Sequence, residues 1–378
     1  MILRNARVHT GDAVLDAGEV IVDGGRVAAV GHPADGPRTN SADVGDAGDV
    51  VDLEGAILAP GFVDLMVNGG GGVLFNESPE RIDEIARAHR TLGTTSFLPN
   101  FITDSAERME FARGVIEERA GSDVLGIHFE GPVLSPKRPG MHAVRHLAGE
   151  FPFELARRTD DVVTVVTVAP EVAGECLMRS LVAAGARVAM GHSDATLAEF
   201  RAGVAAGGSL VTHMFNGMRP FAGRDPGIVG GGLTDDDVWI DIINDGIHSD
   251  FASVRLAWLA KPAGKCFFVT DAMPPVGFGV TEFTAVGVHV TVRDGRLRTD
   301  AGALGGSLLD MATAVRNGVE HVGIPLEEAL RMASTYPARY LGVDDRIGRV
   351  APGCAANLVV LDDHLQVRRV MFEGEWVA

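Results

Sequence analysis

The chain has 378 residues, of which 46% are hydrophobic, and its formal net charge is −18. This length predicts one large domain together with a small one. The acidic surface disfavours nucleic acid and anionic membranes as partners, because both carry negative charge. No apolar run approaches the ~18 residues of a membrane span. The three cysteines show no paired spacing, which favours a reducing cytoplasm over a disulfide framework.

Both ends of the chain are rich in short strands. Residues 2–31 alternate apolar and polar positions, with a predicted hairpin turn at Asp23-Gly24-Gly25, and residues 348–378 return to the same pattern. We expect a small β-sandwich domain built from residues 1–55 and 348–378. The alternative is two unrelated terminal extensions. Residues 32–49 are rich in Gly, Asp, Ala and Pro and predict a loose loop.

The middle of the chain repeats strand then helix. Eight apolar segments have the length and β-branched content of buried strands: 57–67, 94–99, 124–130, 162–168, 187–190, 209–211, 238–243 and 266–271. Helical periodicity between them includes residues 79–92, 105–119, 174–184 and 195–206. This pattern predicts a (β/α)8 TIM-like barrel over residues 56–347, with an inserted hairpin at 281–300. A doubly wound open sheet is the alternative.

Polar residues follow several of these strands at the point where each ends. His192 and His213 come after successive strands, Glu130 ends the third, and Asp271 ends the eighth. Because parallel barrel strands place their carboxyl ends on one rim, we expect these side chains to meet there. Two His and one Glu are a familiar ligand set for catalytic zinc. Asp271 could then exchange protons with a zinc-activated water. The alternative is ordinary buried histidines and a structural aspartate.

Eight short motifs occur along the chain. Each is weak evidence alone, but together they are specific enough to indicate a family. They are 128–132 (HFEGP), 139–142 (PGMH), 191–193 (GHS), 212–218 (THMFNGM), 223–227 (GRDPG), 245–248 (DGIH), 269–272 (VTDA) and 304–307 (LGGS). In this order they resemble the amidohydrolase superfamily, and within it the N-acetylglucosamine-6-phosphate deacetylases. The segments 60–64 (PGFVD) and 336–339 (YPAR) extend the resemblance to most of the chain.

The resemblance implies roles for particular residues. Glu130, His192 and His213 would bind one divalent metal ion, Zn²⁺ or alternatively Fe²⁺, and Asp271 would be the general acid and base. His142 would polarise the acetyl carbonyl. The substrate-binding group would be Asn216, the Gly217 backbone, Arg224, His248, Leu304 and again His142. Members of this family are cytoplasmic homodimers that act on a small amino sugar phosphate, with sites near the subunit interface.

One departure from the superfamily pattern concerns the first strand. Many amidohydrolases carry His-x-His there and bind a second metal ion, whereas this chain has Met66-Val67-Asn68. Thioether and amide groups are poor replacements for imidazole on zinc. We therefore expect one ion per chain.

Other functions remain possible from the sequence. Deacetylation of the galactosamine epimer, or another cyclic amidohydrolase reaction, would use the same residues. A serine hydrolase is suggested only superficially by residues 191–195 (GHSDA), which lack the GxSxG pattern. A metal-free barrel used as an assembly scaffold would need none of Glu130, His192, His213 and Asp271.

Overall fold

The computed structural model describes residues 1–32, 49–121, 123–159 and 161–377. The predicted loose loop at 32–49 lies almost wholly outside this part of the chain. Within the described residues, no helix is both long and apolar enough to cross a bilayer. The chain divides into two compact units, one of residues 1–63, 90–95 and 311–378 and the other of residues 64–89 and 96–310. The domain boundaries after residue 55 and before residue 348 stay a prediction.

Eight parallel strands form the larger sheet, numbered here as barrel strands 1 to 8 in chain order. They are Phe62–Val67, Thr94–Ile102, Gly126–Glu130, Val163–Val168, Arg187–Met190, Gly208–Val211, Trp239–Ile243 and Cys266–Val269. Each strand pairs with the next along the chain. Parallel bridging of Val67 with Ala272 brings strand 1 beside strand 8. The predicted (β/α)8 barrel is thus confirmed.

The barrel strands are largely apolar and are buried on both faces. Strand 4, with the sequence VTVVTV, is buried at every position, as expected for a parallel sheet that has no solvated face. Such strands end where polar residues begin, and those residues therefore lie at the rim of the barrel. The α-helices are Ile82–Thr91, Ala106–Arg119, Pro170–Ala183, Leu197–Ala205, Gly227–Thr234, Phe251–Ala260, Met311–Asn317, Leu326–Ala333 and Thr335–Leu341. Shorter helical turns are Pro79–Arg81, Val144–His146, Phe153–Ala156 and Gly318–Val322.

Strands from both chain ends pair in a second sheet. Its strands are Ile2–His9, Val14–Asp23, Arg26–Gly31, Val50–Asp52, Ile57–Pro60, Leu358–Leu361, Val367–Phe372 and Glu375–Trp376. Ile57–Pro60 pairs in parallel with the first of these and antiparallel with Leu358–Leu361, so it joins the two ends. Leu3, Val20, Leu58 and Leu358 belong to the apolar core of this sheet. Strands of both chain ends thus share one sheet, as expected, while the β-sandwich domain of residues 1–55 and 348–378 stays a prediction.

Three predicted elements differ in detail. The single strand expected at 57–67 is two strands, because Gly61 separates a segment of the terminal sheet from barrel strand 1. The helix expected from Gly174 begins at Pro170, and Gly174 keeps a non-helical φ of 66° inside it. The hairpin at 281–300 has three strands, Glu282–Ala285, Val288–Arg293 and Arg296–Thr299. The remaining short strands are Gly69–Gly70 and Val73–Leu74.

Candidate active site

Three predicted site residues share an unusual backbone conformation. His192, His213 and Asp271 each follow the end of a barrel strand, and their φ angles are 44°, 29° and 53°. Residues other than glycine rarely adopt this left-handed region, and such conformations concentrate at functional sites. The conformation turns the chain sharply as it leaves each strand.

A cavity of about 250 Å³ lies at this rim. Nine of the ten predicted site residues line it: Glu130, His142, His192, His213, Asn216, Gly217, His248, Asp271 and Leu304. Arg224 is the exception, since it is exposed and does not line this cavity. The barrel therefore assembles residues from seven separate motifs in one place, whereas the arginine predicted to bind phosphate lies elsewhere on this chain.

The carboxylate of Glu130 is the centre of the polar cluster. Its Oε1 atom lies 2.9 Å from His213 Nε2, 3.0 Å from His192 Nε2 and 3.7 Å from His142 Nε2. The Nε2 atoms of His192 and His213 are 3.2 Å apart. Burial alone would raise the pKa of Glu130, but the hydrogen bonds and charge of the surrounding histidines hold it well below its ordinary value. Glu130 is therefore an anion facing three imidazoles.

The ring of His192 is held in one orientation. Its Nδ1 bonds to the carbonyl oxygen of Arg138 at 2.9 Å. Because a carbonyl only accepts, Nδ1 carries the proton, and in the neutral ring Nε2 presents a lone pair. Gly140 and Gly217, with φ of 55° and 59°, pack against the ring, and a Cβ on either would lie within 2.8 Å of its atoms. Only glycine fits at these two positions.

This donor set suits a divalent metal ion. A carboxylate oxygen and two imidazole nitrogens converge with separations of 2.9, 3.0 and 3.2 Å. Ligand atoms at roughly 2.0–2.2 Å from one tetrahedral zinc are about 3.3 Å apart. His142 also lies in reach, since Glu130, His142 and His192 can place ligand atoms within 4.8 Å of one another. The cluster is thus a potential Glu/His metal site with a third histidine beside it.

His142 has a different hydrogen-bonding arrangement. Its Nδ1 lies 3.3 Å from the backbone nitrogen of Thr103 and 2.9 Å from the Thr103 hydroxyl. The backbone N–H of Thr103 only donates, and this contact favours an accepting Nδ1 with the proton of the neutral ring on Nε2. Burial, with the charge of nearby His192, lowers the pKa of His142 and favours this neutral form. His142 is therefore suited to donate a hydrogen bond into the cavity.

Asp271 and His248 are the remaining ionisable groups that line the cavity. Burial and the charge of Glu130 raise the pKa of Asp271 to about 6, so its carboxyl can take up and release a proton near neutral pH. His248 Nδ1 lies 2.7 Å from Asp245 Oδ2. Although burial opposes the charged form, this hydrogen bond and the charge of Asp245 raise the pKa of His248. The imidazole is thereby favoured as a cation.

Several residues that support the site were not singled out from the sequence. Asn100 bonds Glu130, Thr103 bonds His142, Arg138 bonds His192, and Asp241 accepts from the backbone nitrogen of His213. A polar residue inside an apolar strand is the available signal for Asn100 and Asp241. The loop residues Thr103 and Arg138 carry no such signal, because their partners are distant in sequence.

The serine nucleophile considered above has a structural role. Ser193 is fully buried, and its hydroxyl donates to Glu171 at 2.7 Å while accepting from the backbone nitrogen of Ala195 at 3.0 Å. It does not line the cavity. A serine hydrolase mechanism at this residue is therefore wrong, because no substrate carbonyl could reach the hydroxyl.

Comparison with known proteins gives a consistent result. The amidohydrolase family matches residues 57–377. This chain belongs to that family. An N-acetylgalactosamine-6-phosphate deacetylase of Shewanella sp. (strain ANA-3) is 40% identical, over 85% of this chain and 84% of that protein. An N-acetylglucosamine-6-phosphate deacetylase of Haemophilus influenzae is 37% identical, over 86% and 88%.

Solved structures agree with the sequence comparison. The crystal structure of N-acetylglucosamine-6-phosphate deacetylase from Pasteurella multocida superposes with a TM-score of 0.91 at 35% identity, covering 100% of this chain and 99% of that one. Amidohydrolases are metal-dependent hydrolases, and the donor cluster around Glu130 fits that chemistry. A divalent ion in such a site supplies Lewis acidity and lowers the pKa of water to about 7. The amidohydrolase barrel therefore brings a potential metal site and the carboxyl of Asp271 into one cavity.

Proposed function

We propose that this amidohydrolase hydrolyses the acetamide of N-acetyl-D-glucosamine 6-phosphate to D-glucosamine 6-phosphate and acetate. The observation that carries the proposal is a single cavity holding a Glu/His donor cluster, the carboxyl of Asp271 and the cation-favouring ring of His248. An amide needs a proton acceptor for water, a proton donor for the amine, and polarisation of its carbonyl. A phosphate needs a positive group at a distance from that chemistry.

Each residue then has a distinct role. Glu130, His192 and His213 hold one divalent ion, Zn²⁺ or Fe²⁺. Asp271 accepts a proton from the attacking water and later donates it to the leaving amine. His142 donates from Nε2 to the acetyl oxygen, which supports the charge that develops there. Water attacks the carbonyl carbon, the carbon–nitrogen bond breaks, and the proton is returned by the same carboxyl.

The sugar phosphate is held on the other side of the cavity. His248 supplies positive charge, while Asn216, the Gly217 backbone and Leu304 position the sugar. Arg224 stays a predicted phosphate ligand, although it lies outside this cavity. The proposal includes a cytoplasmic homodimer, in which a second copy of the chain could bring its Arg224 to the phosphate.

The galactosamine epimer is the second candidate substrate. The relative that acts on N-acetylgalactosamine 6-phosphate is 40% identical, and one that acts on the glucosamine compound is 37% identical. The two sugars differ only in the configuration of the C4 hydroxyl, which lies two carbons from the C2 acetamide. The donor cluster and Asp271 would serve either reaction unchanged.

The test is acetate release by the purified metal-loaded protein from four compounds, the two N-acetyl hexosamine 6-phosphates and their unphosphorylated forms. We expect the glucosamine 6-phosphate to have the highest kcat/KM, and both unphosphorylated sugars to be much poorer through raised KM. A preference for the galactosamine compound would establish the second candidate. Equal activity with and without phosphate would contradict the assignment of a phosphate subsite.

A further inference from the structure

Two buried asparagines connect the two catalytic carboxyl groups. Asn100 Nδ2 donates to Glu130 Oε2 at 2.8 Å and to Asn68 Oδ1 at 2.7 Å, and Asn68 Nδ2 donates to Asp271 Oδ1 at 2.6 Å. Asn68 and Asn100 are at most 1% exposed. The four residues belong to four neighbouring barrel strands or their ends, since strand 1 lies between strands 2 and 8. A continuous chain of three hydrogen bonds therefore joins Glu130 to Asp271.

The direction of these hydrogen bonds follows from the groups involved. The carboxylate of Glu130 only accepts, so the nitrogen of Asn100 must face it. The second N–H of Asn100 then needs an acceptor, which is Asn68 Oδ1. The nitrogen of Asn68 is left facing Asp271 Oδ1, which must accept as well. Turning over the Asn68 amide would place two donating nitrogens against each other, so the network assigns both amide orientations.

On the basis of the proposed function, we propose that Asn68 and Asn100 are positioning residues. They bond one oxygen of each carboxyl group and leave the other oxygen available for its role in the reaction. The amide bridge occupies Glu130 Oε2 and leaves Oε1 for the metal ion. It also occupies Asp271 Oδ1 and leaves Oδ2 for the transferred proton. The contacts of Glu130 agree with this division, because all three histidine Nε2 atoms lie against Oε1.

An unpaired oxygen atom distinguishes this arrangement from ordinary structural packing. Asn100 donates both of its N–H groups to the bridge. Its own Oδ1 is buried and accepts no hydrogen bond from the described residues. Buried polar atoms in folded proteins are nearly always paired, so this one carries a cost. The orientation that leaves Oδ1 unpaired is the one that serves both Glu130 and Asn68.

The amide bridge also supports the expectation of one metal ion per chain. A second ion shared through Glu130 would need Oε2, and that atom is engaged by Asn100. Asn68 stands where many amidohydrolases place an imidazole, and its side chain bonds Asp271 instead. Asn68 thus holds Asp271 directly, and Asn100 holds the amide of Asn68.

The experiment is a double-mutant cycle with Asn68→Leu, Asn100→Leu and the pair, compared with Asn76→Leu as the matched control. Asn76 is equally buried and bonds both backbone groups of Ile102, but it touches neither carboxyl. We measure kcat and KM with N-acetyl-D-glucosamine 6-phosphate, Zn²⁺ affinity by chelator competition, and Tm.

Each single change should lower kcat by about 10–100-fold with KM changed less than threefold, as for residues that orient a metal site. The pair should cost no more than the poorer single variant, because breaking the bridge once removes its effect. Asn100→Leu should also weaken Zn²⁺ binding at least tenfold. Asn76→Leu should lower Tm while keeping kcat within about twofold.

Additive losses in the pair, or a kcat loss in Asn76→Leu equal to those of the bridge variants, would overturn the proposal. Where a leucine variant fails to fold, Asn68→Asp and Asn100→Asp keep the side-chain size and replace the donating nitrogen by oxygen, and the same loss is expected. If the wild-type protein binds Zn²⁺ but cleaves no acetamide, the proposed function fails. The Zn²⁺ affinity of Asn100→Leu then still decides whether the bridge exists.

Discussion

Asp271 is buried and lies near other charged groups, and both conditions change the pKa of its carboxyl group. Its Oδ1 accepts from Asn68, and its pKa is raised to about 6 by burial first and by the charge of Glu130 second. A carboxyl with a pKa near the working pH can take a proton from water and return it to an amine. The amide of asparagine would keep the shape and lose this capacity.

Asp271→Asn should therefore retain the fold and the metal ion but lower kcat by about 10²–10⁴-fold. Steady-state kinetics measures the loss, while circular dichroism and elemental analysis serve as controls for folding and metal content. A variant that keeps more than a third of the wild-type kcat would remove Asp271 from the role of acid and base.

As a proposed phosphate ligand, His248 should make substrate binding depend on pH. The hydrogen bond and charge of Asp245 raise the pKa of His248 above its ordinary 6.5, despite burial. The imidazolium therefore persists to a higher pH than that of an ordinary histidine and is lost as pH rises through the raised pKa. We expect KM for the phosphorylated sugar to increase on the alkaline side, and His248→Asn to have a high KM with little pH dependence. An unchanged KM profile in the variant would show that His248 does not contact the phosphate.

Arg224 tests whether the phosphate site needs a group from outside this cavity. Arg224→Ala should raise KM for the 6-phosphate substrate more than it lowers kcat, because a phosphate contact acts in the ground state as well as the transition state. The loss should be about 1.5–3 kcal/mol, the range for a charged hydrogen bond. Arg201→Ala, another exposed arginine, is the control and should have no effect. Equal losses on phosphorylated and unphosphorylated sugars would mean a structural role.

At the level of loops, one carboxylate ties several segments of the rim together. Asp194 accepts from Arg138 at 2.7 Å and from Lys137 at 3.3 Å, and Arg219 approaches it at 3.7 Å. These partners belong to the loop after barrel strand 3 and to the segment after strand 6, while Asp194 follows strand 5. The hydrogen bond from Arg138 holds the pKa of Asp194 below its ordinary value, so the carboxylate is charged at neutral pH.

Asp194→Asn should loosen the loop that carries His142 and the carbonyl that orients His192. We expect faster hydrogen exchange over residues 135–142 and about a tenfold lower kcat/KM, in the range seen when groups that orient metal ligands are lost. Asp225→Asn is the matched control, because Asp225 pairs with Arg219 but not with that loop. The same effect in both variants would contradict an anchoring role for Asp194.

For the whole molecule, the property to measure is the number of metal ions that each chain binds. Met66 and Asn68 replace the imidazoles of a second site, and Glu130 Oε2 is engaged by Asn100. We expect one tightly held divalent ion per chain after extensive dialysis, with full activity restored to the metal-free protein by one equivalent. Removal should lower Tm, because an ion that binds only the folded chain stabilises it. Full activity appearing only at two ions per chain would refute the single-ion assignment.

Much of the architecture follows from local patterns. The eight strands are recognisable because buried parallel strands need continuous apolar segments, and each stops where a polar residue such as Glu130 or His192 appears. That same rule places these residues on one rim before any coordinates exist. The joining of both chain ends in one sheet is visible as alternating apolar and polar positions. The ends of the elements were predicted less accurately. At Gly61, for example, one predicted strand is two strands that belong to different sheets.

The amide bridge from Glu130 to Asp271 and the loop contacts of Asp194 could not be predicted from the sequence. Asn68 and Asp271 are separated by 203 residues, and Arg138 and Asp194 by 56. Periodicity describes which face of a strand is buried, but not which polar atom lies opposite another across the barrel. That choice depends on strand order, on the turn at each strand end and on the orientation of each amide, all of which arise only when the barrel closes. For the same reason the motif containing Arg224 resembled a phosphate site, while the folded chain places that side chain on the surface.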